Sequence, residues 1–220
     1  MTETGRDPFS QLLYPMLREQ PSASAALVDA LASAPLEKAA ESDRLRRELI
    51  EGHAEEIAAC AQRVAQCFRG GGRLLACGNG GSATSAADLA AELLHGRGLP
   101  ALCLTNEVAV VTAVANDVSF DDVFARQVIA LGRRGDVLVA ISTSGNSENL
   151  LRAASEARRR ELATIGISGD GGGRMAAEEA FDHCFVVRSS SVHRIQEVQT
   201  TLCHLLVELV QESLEGRACA

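Results

Sequence analysis

Short apolar runs alternate with segments of helical periodicity from about residue 71 onwards. The apolar runs are four or five residues long and predict strands, because continuous short runs are typical of buried parallel strands. Strands that alternate with helices form a parallel sheet covered on both faces, so the pattern predicts an α/β domain. The predicted strands are 73–77, 101–104, 137–141, 164–167 and 184–187, and the helices are 83–94, 108–116, 121–131, 147–160, 172–180 and 191–214.

The chain before residue 71 has helical spacing and no strand pattern. Apolar residues recur at helical intervals from Ser22, with an interruption predicted at Pro35 and a longer helix over 36–68. Residues 1–20 could form a flexible tail or a short helix over 9–17. We therefore predict an N-terminal helical extension, 1–70, that packs on the domain and on neighbouring subunits, and an α/β domain over 71–216.

Composition and charge narrow the class of protein. Hydrophobic residues make up 46% of the 220 residues and aromatic residues only 3%, so Ala, Leu, Val and Ile must build the core. The formal net charge of -8 argues against a nucleic-acid partner, which requires a basic surface.

The cysteines indicate a reducing compartment. Seven are present, an odd number without a CxxC pair, and most lie in apolar runs where a free cysteine packs as a small hydrophobic residue. The chain opens on polar residues and has no apolar run long enough to span a bilayer. We expect a cytoplasmic protein without a membrane partner.

A glycine-rich loop follows the first predicted strand. Its sequence is Gly78-Asn79-Gly80-Gly81-Ser82, and an alanine-rich helix is predicted directly after it. Free N–H groups at the start of a helix bind anions, and glycine lets the backbone approach a ligand closely. The same stretch could instead be a tight turn in which Ser82 caps the helix. The residues of this loop leave both possibilities open.

A second polar loop follows the third predicted strand. It reads Ser142-Thr143-Ser144-Gly145-Asn146-Ser147 and again precedes a predicted helix. Capping the helix would require one hydroxyl, whereas this loop offers four. Hydroxyl and backbone N–H donors at a helix start are suited to phosphate oxygens, so the loop favours phosphate binding.

The order of the motifs resembles the sugar isomerase (SIS) domain family and, within it, the bacterial phosphoheptose isomerases. The resemblance covers about residues 36–214. It is carried by both loops together with Ala90-Ala91-Glu92-Leu93, Ala115-Asn116-Asp117, Gly135-Asp136-Val137-Leu138, Asp170-Gly171-Gly172, Arg194-Ile195-Gln196-Glu197 and His204.

This resemblance implies a fold, an assembly and a reaction. The fold is a flavodoxin-like, doubly wound, five-stranded parallel sheet with an N-terminal helical extension. The assembly is a homotetramer with active sites between subunits. The sugar-phosphate substrate is D-sedoheptulose 7-phosphate, which is isomerised to D-glycero-D-manno-heptose 7-phosphate.

The resemblance also implies roles for individual residues. An aldose–ketose isomerase moves a proton between two carbons through an enediol and needs a base and an acid. The matching positions are Glu92 as the base and His204 as the acid/base. Some members of the family bind zinc, and the matching ligands are Asp88, Glu92, Gln196 and His204. Asp88 departs from the family pattern, which has a histidine there, and a carboxylate is a harder ligand than imidazole.

The remaining matches concern the substrate. Asp117 matches a sugar-contacting residue but could instead cap the following helix. The implied substrate-binding residues are Asn79, Gly80, Gly81, Ser82, Asp117, Ser142, Thr143, Ser144, Ser147 and Gln196.

Two alternative functions stay open. The chain could isomerise another sugar phosphate, since the loops recognise phosphate more than chain length. It could also be a non-catalytic binding protein of the DnaA initiator-associating type, which shares the fold and the loops. The joint presence of Glu92 and His204 favours an enzyme.

Overall fold

The computed structural model describes residues 25–178 and 180–216. The predicted tail or short helix within residues 1–20 lies outside the described residues. The chain divides into two compact units, with the boundary between Ala40 and Glu41. The larger unit contains the sheet and every site residue predicted above.

A five-stranded parallel sheet forms the centre of the larger unit, as predicted. Its strand order is β2-β1-β3-β4-β5, which is the flavodoxin-like order. Residues of β1, β3 and β4 are buried throughout, because helices cover both faces of the sheet. The strands are β1 Leu74–Gly78, β2 Ala101–Cys103, β3 Val137–Ile141, β4 Ala163–Gly169 and β5 His183–Val187.

Helices connect the strands at close to the predicted positions. Among the described residues, no helix is both long and apolar enough to cross a bilayer. The helices are α1 Ala25–Arg69, α2 Gly81–Arg97, α3 Val108–Asp117, α4 Val123–Leu131, α5 Glu148–Arg159, α6 Gly173–Ala177 and α7 Val192–Glu215.

Two hydrophobic cores lie on opposite faces of the sheet. One joins the sheet to α2, α7 and the part of α1 from Leu45 onwards, and it includes Leu89 and Leu202. The other joins the sheet to α4 and α5 and includes Phe124 and Leu150. The first core matters for the site, because it fixes α2 and α7 beside each other.

The cysteines contribute to packing, as predicted. Cys60, Cys67, Cys77, Cys103 and Cys203 are free and buried, and Cys184 is partly buried. Burial raises the pKa of the Cys60 thiol to about 12, so this group is a neutral core side chain.

The predicted interruption of the N-terminal helix at Pro35 is wrong. Pro35 lies inside α1, and the backbone departs from helical geometry at His53, with φ -135° and ψ 19°. Gly52 precedes this kink and has little helix preference. The His53 ring packs edge-on against Phe185, with ring centroids 5.7 Å apart. A tertiary contact thus accompanies the kink.

Two predicted helices are shorter than expected. The segment predicted as 121–131 begins with a 3₁₀ turn, Phe120–Asp122, before α4. The Ser119 hydroxyl caps this turn by accepting a hydrogen bond from the Asp121 N–H, so Asp117 does not cap it. The helix predicted over 172–180 comprises only Gly173–Ala177.

Glu56 joins α1 to the edge strand β5. Its carboxylate lies 3.0 Å from His183 Nδ1 and 2.9 Å from His53 Nδ1. Burial alone would raise the pKa of Glu56, but hydrogen bonds from His183 and His53 outweigh it, so the pKa lies below its ordinary value. The carboxylate therefore stabilises the fold in its charged form.

We expect Glu56→Gln to lower stability in a pH-dependent way. A carboxylate with a lowered pKa in the folded state stabilises above its unfolded pKa, and this contribution is lost as pH falls through the folded pKa. The loss in unfolding free energy should be at most about 1 kcal/mol, because the side chain is partly exposed. Urea unfolding of both proteins between pH 6 and pH 3 should show the difference shrinking with acidification. A difference that is constant or grows towards pH 3 would contradict this role.

Candidate functional site

The two polar loops meet at the carboxyl ends of neighbouring strands. β1 pairs with β3, with Gly78 opposite Ile141, and one loop follows each strand. This is the point where the strand order reverses, which is where ligands bind in open α/β sheets. The loops are joined by a reciprocal amide pair. Asn79 donates to Asn149 Oδ1 at 2.9 Å, and Asn149 donates back to Asn79 Oδ1 at 3.0 Å.

The first loop leads directly into α2. The helix begins at Gly81, and its N-cap is Gly80, which provides no side-chain cap. Ser82 lies buried in the first turn, and its N–H donates to the Asn79 carbonyl at 3.0 Å. The alternative in which Ser82 caps the helix is therefore wrong. The start of α2 is left without a side-chain cap.

Gly81 lies against the side chain of Gln196 on α7. A Cβ atom at residue 81 would overlap the Gln196 amide nitrogen. The absence of a Cβ at Gly81 therefore lets the Gln196 amide lie directly against the first loop. The structure thus brings two of the predicted substrate-binding residues together.

Hydroxyl groups in the second loop organise its backbone. The buried Ser142 hydroxyl accepts from the Gly145 N–H at 3.0 Å and lies 3.4 Å from the Ser147 hydroxyl. The Ser144 hydroxyl accepts from the Asn146 N–H at 3.2 Å. Ser147 is the N-cap residue of α5 but makes no side-chain capping bond. Thr143 is partly exposed between these groups.

The first turn of α6 holds the second loop in place. The Met175 N–H donates to the Gly145 carbonyl at 2.9 Å, and the Arg174 N–H donates to Asn146 Oδ1 at 3.0 Å. The loop is thus supported from two sides, by its own hydroxyls and by this turn.

Gln199 links α7 to the second loop, and the sequence reasoning missed it. Its fully buried amide donates to the Ser142 carbonyl at 2.8 Å and to the Ile167 carbonyl at 3.4 Å. The signal was present, because Gln199 falls on the apolar stripe of α7 with Ile195 and Leu202. A polar residue on a buried stripe indicates a specific hydrogen-bonding role.

The predicted reacting groups meet where α2 and α7 pack together. Asp88 and Glu92 lie one turn apart on α2, and His204 faces them from α7. His204 Nε2 is 3.0 Å from Asp88 Oδ2 and 3.6 Å from Glu92 Oε1. Ligand atoms from all three lie within 4.8 Å of one another. These three side chains thus form one cluster in the structure.

The electrostatics of this cluster favour a protonated histidine. The hydrogen bond to Asp88 raises the pKa of His204 above its ordinary value, and the negative charges of Glu92 and Asp88 add to this effect. Partial burial offsets some of the shift. His204 can thus hold a proton beside a carboxylate.

An open groove joins the cluster to the first loop. The groove has a volume of about 600 Å³, and its lining includes Gly81, Gln196 and His204. The cluster is accessible, with side-chain exposures of 46% for His204, 50% for Asp88 and 38% for Glu92. A polar ligand in this groove could contact both the first loop and the cluster.

Asp117 occupies a different position from the other predicted residues. It ends α3, a helix with no buried residue, and its carboxylate accepts from Asn116 at 2.8 Å.

Comparison with known proteins identifies the family. The family model of the SIS domain matches residues 39–169. The phosphoheptose isomerase of Roseiflexus sp. is 44% identical over 175 residues, which cover 77% of this chain and 88% of the relative. That of Nitratidesulfovibrio vulgaris is 45% identical over 184 residues, covering 81% of this chain and 88% of the relative.

A solved structure agrees with these sequence matches. The phosphoheptose isomerase from Neisseria gonorrhoeae superposes with a TM-score of 0.76 at 40% identity, covering 82% of this chain and 99% of that chain. Identity at this level over nearly the whole of a relative shows common membership and not the fold alone. The chain is an isomerase that belongs to the phosphoheptose isomerase family of SIS-domain proteins.

Proposed function

We propose that this chain is an aldose–ketose isomerase that converts D-sedoheptulose 7-phosphate to D-glycero-D-manno-heptose 7-phosphate. The observation that carries the proposal is the pairing of Glu92 and His204, 3.6 Å apart, at a groove that reaches the first of the two loops. The names of the relatives supply the substrate class. The cytoplasm is the proposed location.

The two loops bind the phosphate and the sugar hydroxyls in this proposal. The start of α2 has no side-chain cap, and Ser147 makes no capping bond at α5. The positive ends of both helices attract an anion, although the Ser82 and Ala83 N–H groups already donate to carbonyls of the first loop at 3.0 Å. The candidates are the predicted substrate-binding residues Asn79, Gly80, Gly81, Ser82, Ser142, Thr143, Ser144, Ser147 and Gln196. Asp117 stays in the proposal as a sugar contact.

Glu92 and His204 divide the proton transfers. Glu92 removes the proton from one carbon and returns it to the neighbouring carbon through the enediol. His204 donates to and accepts from the sugar oxygens, and the hydrogen bond to Asp88, which raises the pKa of His204, favours the protonated ring. Asp88 holds the His204 ring through the 3.0 Å hydrogen bond.

The donor set of the cluster fits a divalent metal, and we propose zinc. Asp88, Glu92 and His204 would hold it, with Gln196 from the same groove as a fourth ligand. In that state His204 Nε2 would coordinate the ion in place of its hydrogen bond to Asp88, because a coordinating imidazole nitrogen carries no proton. Two carboxylates and an imidazole balance the charge of a divalent cation. When bound, such an ion polarises a carbonyl oxygen.

The proposed assembly is a homotetramer in which residues 1–70 form the helical extension and 71–216 the isomerase domain. Exposed apolar side chains on and near α3 support this proposal, since monomers seldom expose such groups together. Val108 is 67% exposed and Phe120 54%.

We expect Val108→Asp combined with Phe120→Asp to dissociate the tetramer. Charges are unfavourable in the desolvated centre of an interface, so the variant should sediment as a smaller species than the wild-type protein. Sedimentation velocity at micromolar concentration tests this. A wild-type protein that sediments as a monomer would overturn the assembly.

Turnover with a defined substrate tests the function. Incubation with sedoheptulose 7-phosphate should yield the aldoheptose phosphate, detected by separation of the two sugar phosphates. Turnover only with another ketose phosphate would replace the proposed substrate. Binding of DnaA without turnover of any sugar phosphate would replace the enzyme by the binding protein considered above.

A further inference from the structure

The cluster on α2 and α7 is rich in oxygen donors. Two of its three side chains, Asp88 and Glu92, are carboxylates, and only His204 offers nitrogen. It is the one group of three or more possible metal-ligating side chains with convergent ligand atoms within residues 25–178 and 180–216. Its donor composition therefore decides which divalent ions it prefers.

The neighbouring cysteine does not supply a sulfur ligand to this cluster. Cys203 precedes His204 on α7 but lies in the hydrophobic core, 1% exposed. A thiolate would favour zinc strongly, but among the described residues no cysteine belongs to the cluster.

Asp88 determines the ratio of oxygen to nitrogen ligand atoms in the cluster. It lies within 3.0 Å of His204 Nε2 and is half exposed, so its carboxylate can reach a shared ion without a large rearrangement. Carboxylate oxygens suit manganese and magnesium, whereas imidazole nitrogen suits zinc, copper and nickel. A nitrogen ligand in place of Asp88 would shift the set from one nitrogen to two.

We propose that Asp88 lowers the discrimination of this centre between Zn²⁺ and Mn²⁺, so that the protein binds Mn²⁺ as well as Zn²⁺. The inference rests on the proposed metal site and adds the selectivity of that site. Zn²⁺ still binds more tightly, because N/O sites follow the general affinity order of the divalent metals. What Asp88 changes is the ratio of the two dissociation constants.

Metal competition without substrate tests this inference. The full-length protein is stripped with a chelator, and Zn²⁺ and Mn²⁺ are each titrated in competition with a chromophoric chelator. We expect Asp88→His to raise the preference for Zn²⁺ over Mn²⁺ by about tenfold or more relative to the wild-type protein. Glu208→Gln is the matched control, since Glu208 is an exposed carboxylate one turn beyond His204 on α7 and should leave the ratio unchanged.

The outcomes separate selectivity from catalysis. An unchanged ratio in Asp88→His, or a wild-type protein that binds no Mn²⁺, would overturn the inference. An equal change in Glu208→Gln would also overturn it, because general charge would then explain the effect. Circular dichroism of the stripped proteins confirms that each variant is folded. Turnover is measured separately, so the isomerase proposal can fail while the selectivity holds, or the reverse.

Discussion

Replacing Glu92 by Gln or His204 by Ala should lower the isomerisation rate by about 10²–10⁴-fold in each case. Gln keeps the shape of Glu92 but cannot accept a proton, and Ala removes the group that faces the sugar oxygens. The two side chains lie 3.6 Å apart and serve one intermediate. Their effects should therefore not add in the double variant, as is usual for residues that act as a unit. Initial rates with sedoheptulose 7-phosphate measure all three variants.

Glu208→Gln provides the control for these rates. Glu208 is exposed one turn from His204 on α7, and its charge contributes least to the raised pKa of His204. Its removal should therefore leave the rate within about twofold of wild type, a change in activation free energy of under about 0.5 kcal/mol. If Glu92→Gln and His204→Ala both kept near wild-type rates, the proposed roles would be wrong. Unfolding curves of all variants exclude loss of structure as the cause.

Gly145→Ala should destabilise the protein by about 2–5 kcal/mol and weaken phosphate binding. Gly145 has φ +66°, which costs energy for any residue with a Cβ. A Cβ here would also overlap the carbonyl group of Gly172, the N-cap residue of α6, whose first turn supports the second loop. Backbone on both sides would have to move. Urea unfolding and titration with inorganic phosphate measure the two effects.

Gly135→Ala separates the cost of a positive φ from the cost of a steric clash with a neighbouring residue. Gly135 also has a positive φ, +89°, but a Cβ there would meet no atom within 4 Å. This variant should lose only about 1–3 kcal/mol and bind phosphate as the wild-type protein does. Equal loss of stability in both variants would mean that contact with Gly172 does not constrain the loop. Protein concentration must be equal throughout, because assembly contributes to apparent stability.

The sequence predicted the sheet well because each strand is marked by a run of apolar residues that are contiguous in the sequence. Five apolar runs become five parallel strands, and β3 begins and ends at the predicted residues, Val137–Ile141. Glycine and hydroxyl residues after β1 and β3 mark the two loops for the same reason, since turn chemistry depends on neighbouring residues. Local patterns also predicted α2 and α7, which carry the reacting groups.

The failures arose where distant contacts decide local structure. Pro35 is a strong local signal for a break, yet α1 departs from helical geometry at His53, whose ring packs on Phe185 of β5. Ser82 is a good helix cap by type, but α2 begins one residue earlier, at Gly81. Asn149 and Gln199 were missed because their partners lie 70 and 57 residues away along the chain.

The sequence by itself therefore determined the strands, the helices, the two polar loops and the identities of the candidate reacting residues. The tertiary structure decided which of these come together. The loops meet because β1 pairs with β3, although 58 residues separate the end of β1 from the start of β3. Asp88, Glu92 and His204 converge because a shared hydrophobic core packs α2 against α7. Periodicity records which face of a helix is apolar, but only packing selects the helix that covers it.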